Sequence, residues 1–471
     1  MFKNKKVLLV GLGILGGGVG TANYLLKEGA DLAITDLKTA LELNKSIKKI
    51  KERGHKVTYR LGKHDEKDFK WADIIVFNQS VPFESRWVKF AKQLKKPIES
   101  DLTIFSRSLK ENKGEYISLT GTRGKTTTTN WLAHFLPEAT MGGNMPDIGL
   151  AYLASLKKKL YVLELSSFQL EYSNRDTLAP KIAIITNIYV DHLNYHGTLQ
   201  KYFAAKFKIF KNQNEKDFLI INRDNKNTPS ILKAKPKAKI YFFSLSPLGK
   251  KEDGIFTDPS TTLGASNIIF QENGKQELIT KLKKDFSSHQ KSNLLPAMLT
   301  AHLHGKTWKE ICSKIDGLPQ IPFRQEIILK NKNLTVVNDS AATSPEATLA
   351  AIDKFKTTRL PARQENLILI SGGTDKQLDL KNLAKEIKKY IKPENLYLLD
   401  GSATNKLIRE LNKLNYKKGS RIFSSLQNIT RVLPKEGVIL FSPAAASFEK
   451  FKNEFDRGEQ FNKLIRKIWK Q

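Results

Sequence analysis

The chain is 471 residues long, 40% apolar and 27% charged, with one cysteine, Cys312, and a net charge of +32. At roughly 100–200 residues per domain this length supports two to four domains, most simply three, and the composition excludes disordered, collagen-like and polytopic membrane chains. A lone cysteine excludes an internal disulfide framework and a cysteine-built zinc site and fits a reducing cytoplasm, while the charge suits a solvated basic surface or a face for polyanions.

Lys3, Lys5 and Lys6 precede an uncharged stretch, Val7 to Leu26, as in a signal peptide or membrane anchor. Six glycines inside it (11, 13, 16, 17, 18 and 20) weaken any apolar helix, which argues against both. Instead, Val7 to Val10 is predicted as a buried strand. A glycine turn follows, then a helix to about Lys27, a stop at Gly29 and a strand Asp31 to Thr35 ending at Asp36. With a strand at Ile74 to Phe77 and a helix at Val88 to Leu94, residues 1–106 read as a small α/β domain of the nucleotide-binding type.

Strands are predicted at Tyr116 to Leu119, Leu160 to Leu165, Ile182 to Ile188 and Phe218 to Asn222, with a helix at Tyr202 to Lys211. Further β structure is expected at Ile240 to Phe243 and around Ile255 and Ile268. Residues 107–318 thus form a larger α/β domain. A third, 319–471, carries strands at Leu334 to Asn338, Leu367 to Ile370, Leu396 to Leu399 and Val438 to Phe441. Its tail has two apolar stripes either side of Gly458: Phe448, Phe451 and Phe455, then Phe461, Ile465 and Ile468. Both read as core.

Four segments carry chemistry. Gly11-Leu12-Gly13-Ile14-Leu15-Gly16 opens a helix after a strand, which suits a diphosphate or a turn needed only for packing. Asp36, at the end of the next strand, could meet a sugar hydroxyl. In Thr120-Gly121-Thr122-Arg123-Gly124-Lys125-Thr126-Thr127, backbone N–H groups can wrap phosphates, Lys125 can reach the β/γ-phosphates and Thr126 can hold Mg2+. Leu119 stands where the full phosphate-loop pattern has a glycine. Glu164, at a strand end, is either a Mg2+ ligand or a cap. Asp191, His192 and His196 cluster after a strand; the histidine pair at i, i+4 would share a helix side as in some metal sites, or sit in a satisfied turn.

Two phosphate cradles in separate α/β units imply two phosphate-bearing ligands. A nicotinamide dehydrogenase leaves the Gly-Lys-Thr turn without purpose, and a simple ATPase leaves the first turn unexplained. A basic nucleic-acid-binding P-loop ATPase is the alternative from another class, but no aromatic-plus-basic motif supports it.

The ordered set Gly121-Thr-x-Gly-Lys-Thr, Gly142-Gly143-Asn144, Glu164-Leu-Ser-Ser-Phe-Gln-Leu170, Asp191-His-Leu-x-x-His-Gly197, His289-x-x-x-Asn293, Gly317-Leu-Pro, Arg324, Asn338-Asp-Ser, Gly372-Gly-Thr-Asp-Lys376 and Ser442-Pro-Ala-Ala-Ala-Ser447 resembles the Mur ligase family over nearly the whole chain. That resemblance implies a three-domain α/β architecture: an N-terminal Rossmann-like UDP-binding domain, a central P-loop-type ATPase domain and a C-terminal Rossmann-like domain. The Glu-Leu-Ser-Ser-Phe-Gln-Leu segment implies the branch that uses ATP to add D-glutamate to UDP-N-acetylmuramoyl-L-alanine, and argues against a folylpolyglutamate-type ligase. Another amino acid, or L-glutamate, is the alternative within the family.

On matching positions the resemblance implies the following roles. Gly121, Thr122, Arg123, Gly124, Lys125, Thr126 and Thr127 would bind ATP phosphates, with Asn293, Arg324 and Asp339 toward the adenosine. Thr126, Glu164, His192 and a carbamate on Lys206 would hold two Mg2+ ions; Lys125, His192 and Lys206 form the catalytic set. Read from the sequence alone, Lys206 is a solvent-facing helix lysine. Gly11, Leu12, Gly13, Ile14, Leu15, Asp36 and Lys38 would seat the UDP group, Asn144 and Ser166 the muramoyl side, and Thr343, Lys376 and Ser447 the incoming glutamate. A cytoplasmic monomer without nucleic-acid partner or membrane insertion is expected. The chain departs from the family at Arg123 (commonly Asn), Asn78-Gln79-Ser80 (commonly Ser-Pro-Gly), Leu15, Ala341 (commonly Lys) and Glu454 (Phe in some members). The last two bear on which amino acid is added.

Overall fold

A computed structural model describes residues 1–14, 16–50, 57–144, 149–154, 156–258, 266–282, 286–356, 367–416 and 421–469, with Ala154 and Asn194 described in backbone only. Leu15 lies outside the described residues. The chain divides into two compact units, Met1–Pro319 and Gln320–Gln471.

The first unit contains two sheets. One has five parallel strands in the spatial order Thr58–Leu61, Asp31–Asp36, Lys6–Val10, Ile74–Phe77 and Ile98–Ser100. The chain reverses its winding between the third and fourth of these, and the glycine turn leaves the sheet there, at the place where open α/β sheets take ligands. Val7 to Val10 are wholly buried because both faces of a parallel sheet are covered. Helix Gly17–Lys27 covers one face with Val19, Ala22, Leu25 and Leu26. It sits hard on the turn: a Cβ at Gly18 would lie 2.1 Å from the Leu12 carbonyl oxygen.

The second sheet has nine strands, with Glu115–Thr120 flanked by parallel neighbours Leu160–Glu164 and Ile182–Ile185. Register pairs Leu119 with Glu164 and Thr120 with Ile185, so all three strands end at one level. The strand predicted to reach Ile188 stops at Ile185; Thr186 still donates its N–H to the Thr120 carbonyl at 3.0 Å, while the side chains of Thr186 and Asn187 bond the loop after Thr120. Gly254–Asp258, Ser266–Glu272 and Lys275–Leu282 extend the sheet's far edge as the expected added β structure, largely antiparallel. Helix Lys125–Phe135 follows the central strand. Its Trp131 indole donates to the carbonyl of Pro319, the last residue of the unit, at 3.1 Å.

The second unit carries six strands in the order Glu326–Lys330, Leu334–Asn338, Gly437–Phe441, Leu367–Ser371, Leu396–Leu399 and Arg421–Phe423, parallel except for the first. The chain's last helix corrects the reading of the tail. Asn453 caps it, accepting from the N–H groups of Phe455 and Asp456, so it starts at Glu454 and runs through Gly458 to Ile468. Phe461 and Ile465 are core, but Phe448 precedes the helix and is 70% exposed. Among the described residues no helix is long and apolar enough to cross a membrane.

Gly458 is fixed by contact. A Cβ there would fall 2.4 Å from a Phe323 ring carbon. Gly458→Ala should therefore destabilise the second unit by about 1–3 kcal/mol despite alanine's better helix propensity. Urea denaturation of the intact chain checks this; a gain in stability would show that the ring moves aside freely.

Candidate active site

The loop Gly121–Gly124 is held from one side by the end of the neighbouring strand. Thr122 N–H donates to the Asn187 carbonyl at 2.9 Å, and Arg123 N–H to the Asn187 side-chain oxygen at 2.9 Å. The Thr186 hydroxyl and the Asn187 amide donate back to the Arg123 carbonyl, at 2.7 and 3.1 Å. Gly121 has no room for a side chain, since a Cβ would lie 1.9 Å from the Thr186 hydroxyl. Gly124, at φ 81°, begins the helix and faces the Asn293 side chain across 2.2 Å of would-be Cβ contact. Asn293 thus packs on the phosphate loop itself. Lys125 Nζ curls back to the carbonyls of Gly121 (3.0 Å) and Thr122 (3.5 Å), over the ground a phosphate would occupy. Thr126 and Thr127 occupy the first turn of the helix, whose N-terminus is the positive end of its dipole. Arg123, the departure from the family pattern, pairs with Asp191 at 3.0 Å.

Lys206 corrects its sequence reading outright. It is 2% exposed, on helix Leu199–Phe207, with Nζ donating to the Gly121 carbonyl at 2.9 Å and to the Thr120 hydroxyl at 3.4 Å. Burial, reinforced by the nearby charge of Lys125, pushes its ammonium well below the usual lysine range.

Glu164 is 3% exposed, and its Oε2 has no hydrogen-bond partner; the Asn144 amide reaches Oε1 at 3.5 Å. A buried carboxylate oxygen left without a donor, one strand from the Gly-Lys-Thr loop, is the group a hard cation would satisfy. Among the described residues no group of three or more His, Cys, Asp or Glu side chains is placed to hold a metal ion.

His192 and His196 do not share a helix face. His192 is the cap before Leu193–His196, in the left-handed region at φ 53°, its ring 3.7 Å from Asp191. His196 is buried, bonded to Glu171 (3.2 Å) and Ser167 (2.9 Å). Both of its ring nitrogens are engaged.

At the first sheet, Gly11, Gly13 and Gly16 all take positive φ. Asp36 accepts the Leu12 and Gly13 N–H groups on one oxygen (2.8 and 2.9 Å) and the Lys38 N–H on the other (2.9 Å). Its first task is to shape the turn, which its sequence reading as a sugar contact did not foresee. Ile14 is exposed beside it. The two sheets meet through Gln79, whose side-chain oxygen accepts from the Ser166 hydroxyl at 3.2 Å, and through the Tyr172 hydroxyl bonding the Val81 carbonyl at 2.7 Å. The Gly11 turn lies against that same segment: its Cβ would meet Asn78 at 3.1 Å and Val81 at 3.3 Å.

In the second unit the adjacent ends of three strands give three loops, bearing Asp339–Thr343, Gly372–Lys376 and Ser442–Ser447. Arg457, which sequence reasoning missed, ties them. Wholly buried, it donates to the Ser340 hydroxyl and carbonyl and to the carbonyls of Ala445 and Ala446, and lies against Gly373. Burial lowers its pKa to about 10, opposed by the carboxylates of Glu454 and Asp339. The only sequence signal was an arginine between the apolar positions of a helix. Ser447 keeps a buried hydroxyl without a partner. Thr343 and Lys376 are half-buried, and Arg324 lies in the turn before Glu326–Lys330. Asp339 accepts from Gln325 N–H (3.0 Å) and the Ser442 hydroxyl (2.8 Å).

A parallel sheet that delivers a Gly-Lys-Thr loop onto a helix, with a buried carboxylate beside it and a second glycine turn on an adjoining sheet, defines a nucleotide-using α/β enzyme. Comparison with known proteins narrows this. A family model for the Mur ligase middle domain matches residues 119–301. The chain is 36% identical to a UDP-N-acetylmuramoylalanine--D-glutamate ligase from Borreliella afzelii and 32% identical to one from Roseiflexus sp., covering 98% of both chains in each case. Among solved structures it is similar to UDP-N-acetylmuramate-alanine ligase MurC from Thermotoga maritima (TM-score 0.61, 20% identity, 99% and 100% of the two chains). It also resembles MurF from Acinetobacter baumannii (TM-score 0.63, 16% identity, 99% and 93%). The chain belongs to the Mur ligase family.

Burial raises the Asp339 carboxyl to about 7, against the help of Ser442 and Gln325. The folded state therefore keeps a proton that the unfolded chain releases at lower pH, and this contribution to stability is lost as pH rises toward and through 7. Asp339→Asn keeps an oxygen for Gln325, and Ser442 can turn its proton to Thr348, 2.8 Å away. Relative to the wild type, its thermal midpoint should rise between pH 5 and pH 8. A pH-independent difference would refute a raised Asp339 pKa.

Proposed function

We propose that this chain is an ATP-dependent ligase joining D-glutamate to UDP-N-acetylmuramoyl-L-alanine, in cytoplasmic peptidoglycan precursor synthesis. One arrangement carries the reading: Lys206, its ammonium disfavoured by burial, lies against the Gly121 carbonyl of a Gly-Lys-Thr loop, with Glu164 buried one strand away. The names of relatives aligned over 98% of the chain support the choice of substrates. On this reading residues 1–106 take the UDP-sugar, 107–318 the ATP and 319–471 the amino acid.

A free carboxylate is a poor acylating group, because an oxygen with no good way to leave must depart. Attack of the substrate's terminal carboxylate oxygen on the γ-phosphorus of ATP breaks the bond to ADP and forms an acyl phosphate. The glutamate amine then adds to the acyl carbon, loses a proton, and expels phosphate as the C–O bond breaks. Such transfers need positioning and charge neutralisation more than a protein nucleophile. Lys125 and the N–H groups of Gly121 to Thr127 supply both for the triphosphate. Gly11, Leu12, Gly13, Ile14, Leu15, Asp36 and Lys38 hold the UDP group, Asn144 and Ser166 the muramoyl end. Asn293, Arg324 and Asp339 serve the adenosine; Thr343, Lys376 and Ser447 orient the glutamate.

Magnesium, when bound, would supply the charge that lets a carboxylate approach a triphosphate. Thr126, Glu164, His192 and carbamylated Lys206 are the residues to hold two ions. Carbamylation needs a neutral amine to attack CO2, with loss of one proton; burial of Lys206 supports that state.

Phosphate release measured with UDP-N-acetylmuramoyl-L-alanine and a panel of D- and L-amino acids should respond to D-glutamate alone, and Lys125→Ala should lower it by roughly 100-fold or more. Release with no amino acid in the panel would overturn the reading. Lys206→Ala should lose activity that formate or acetate partly restores by supplying the missing anion. A fully active variant would remove the carbamate from the mechanism.

A further inference from the structure

Among the groups that the mechanism does not use are buried His196 and Ser167 and their neighbour Glu171. The His196 ring is wholly buried. Its two nitrogens bond the two ends of the short helix Ser167–Glu171, at 2.9 Å to the Ser167 hydroxyl and 3.2 Å to Glu171 Oε1. That helix begins three residues after Glu164. The ring also stacks on Phe168 (centroids 5.6 Å apart, 19°), which makes a T-shaped pair with the His192 ring, centroids 5.0 Å apart.

His196 is joined as firmly to His192. Its N–H closes the turn on the His192 carbonyl at 3.0 Å. His192 stands in the left-handed region, which a β-carbon disfavours, so its neighbours must impose that conformation. Asp191 accepts the His192 N–H at 2.9 Å, and the His196 side chain anchors the far end of the turn.

From this geometry, and resting on the reading above, we infer that His196 is a positioning residue. It fixes His192 relative to Glu164 and so sets the spacing of two residues proposed to hold cations. It ligates nothing itself, since both nitrogens are engaged. Partners one step removed from a cation commonly govern affinity by 10–100-fold.

The test uses the full chain and two binding measurements made without turnover. The affinity for Mn2+ in the presence of ADP is read from free Mn2+ by electron paramagnetic resonance. The affinity for UDP-N-acetylmuramoyl-L-alanine without metal is read by calorimetry. His196→Phe keeps the stacking and loses both hydrogen bonds. It should weaken Mn2+ binding about 10–100-fold while UDP-sugar binding stays within about threefold. Glu171→Gln, which keeps the oxygen that meets Nδ1, should retain near-normal Mn2+ affinity. Unchanged Mn2+ binding in His196→Phe, or an equal loss of both affinities, would overturn the inference. Should that variant fail to fold, Ser167→Ala decides: a selective loss of Mn2+ affinity supports the brace, and normal affinity overturns it. A wild type that binds Mn2+ and ADP yet forms no product from its proposed substrates would sink the substrate reading alone. A wild type that binds no Mn2+ would sink both.

Discussion

Three neighbouring parallel strands end level with one another, and the chemistry of the first unit follows from that register. Pairing of Leu119 with Glu164 and of Thr120 with Ile185 leaves no freedom in where the next residues start. Gly121, the buried carboxylate and the Thr186–Asn187 pair emerge side by side. The loop is then a rigid object, held by four hydrogen bonds from one strand end and by a contact at Gly121 too tight for any side chain. A loop fixed in advance loses little entropy when it takes a phosphate.

Two buried basic side chains donate their hydrogen bonds to carbonyls and hydroxyls. Lys206 rests on a carbonyl and a hydroxyl, and Arg457 on three carbonyls and a hydroxyl. Both pKa values fall for the same reason, burial, but the outcomes differ. A guanidinium at about 10 stays charged at neutral pH and acts as a tie between loops. A lysine ammonium moved below its usual range by burial is held charged less firmly. Residue type, rather than location, separates how the two respond to the same burial.

Much of the scaffold is legible in the amino-acid sequence. Phe218–Asn222, Leu334–Asn338 and Leu396–Leu399 are strands to the residue, because short, mainly apolar runs between polar turns have few other readings. The Gly-Lys-Thr loop declared itself by spacing. Depth did not. Lys206 sits in a helix whose pattern cannot say that one lysine turns inward beneath a loop 85 positions earlier. The histidine spacing misled because it assumed a helix through His192, whose backbone is left-handed. Phe448 fitted an apolar stripe in register but lies before the helix cap that fixes where the stripe begins. Asp36 was visible as an acid at a strand end, while its use on the turn's own N–H groups needed the chain in three dimensions.

The Trp131 bond to Pro319 places the end of the first unit under the control of the same helix that opens on Lys125. The seam of the chain is therefore asymmetric. Residues up to Pro319 are part of the nucleotide-loop scaffold and would carry any change in length back to it. Chimeras that exchange C-terminal portions among these ligases should be joined after Pro319, with Trp131 and Pro319 taken from the same parent.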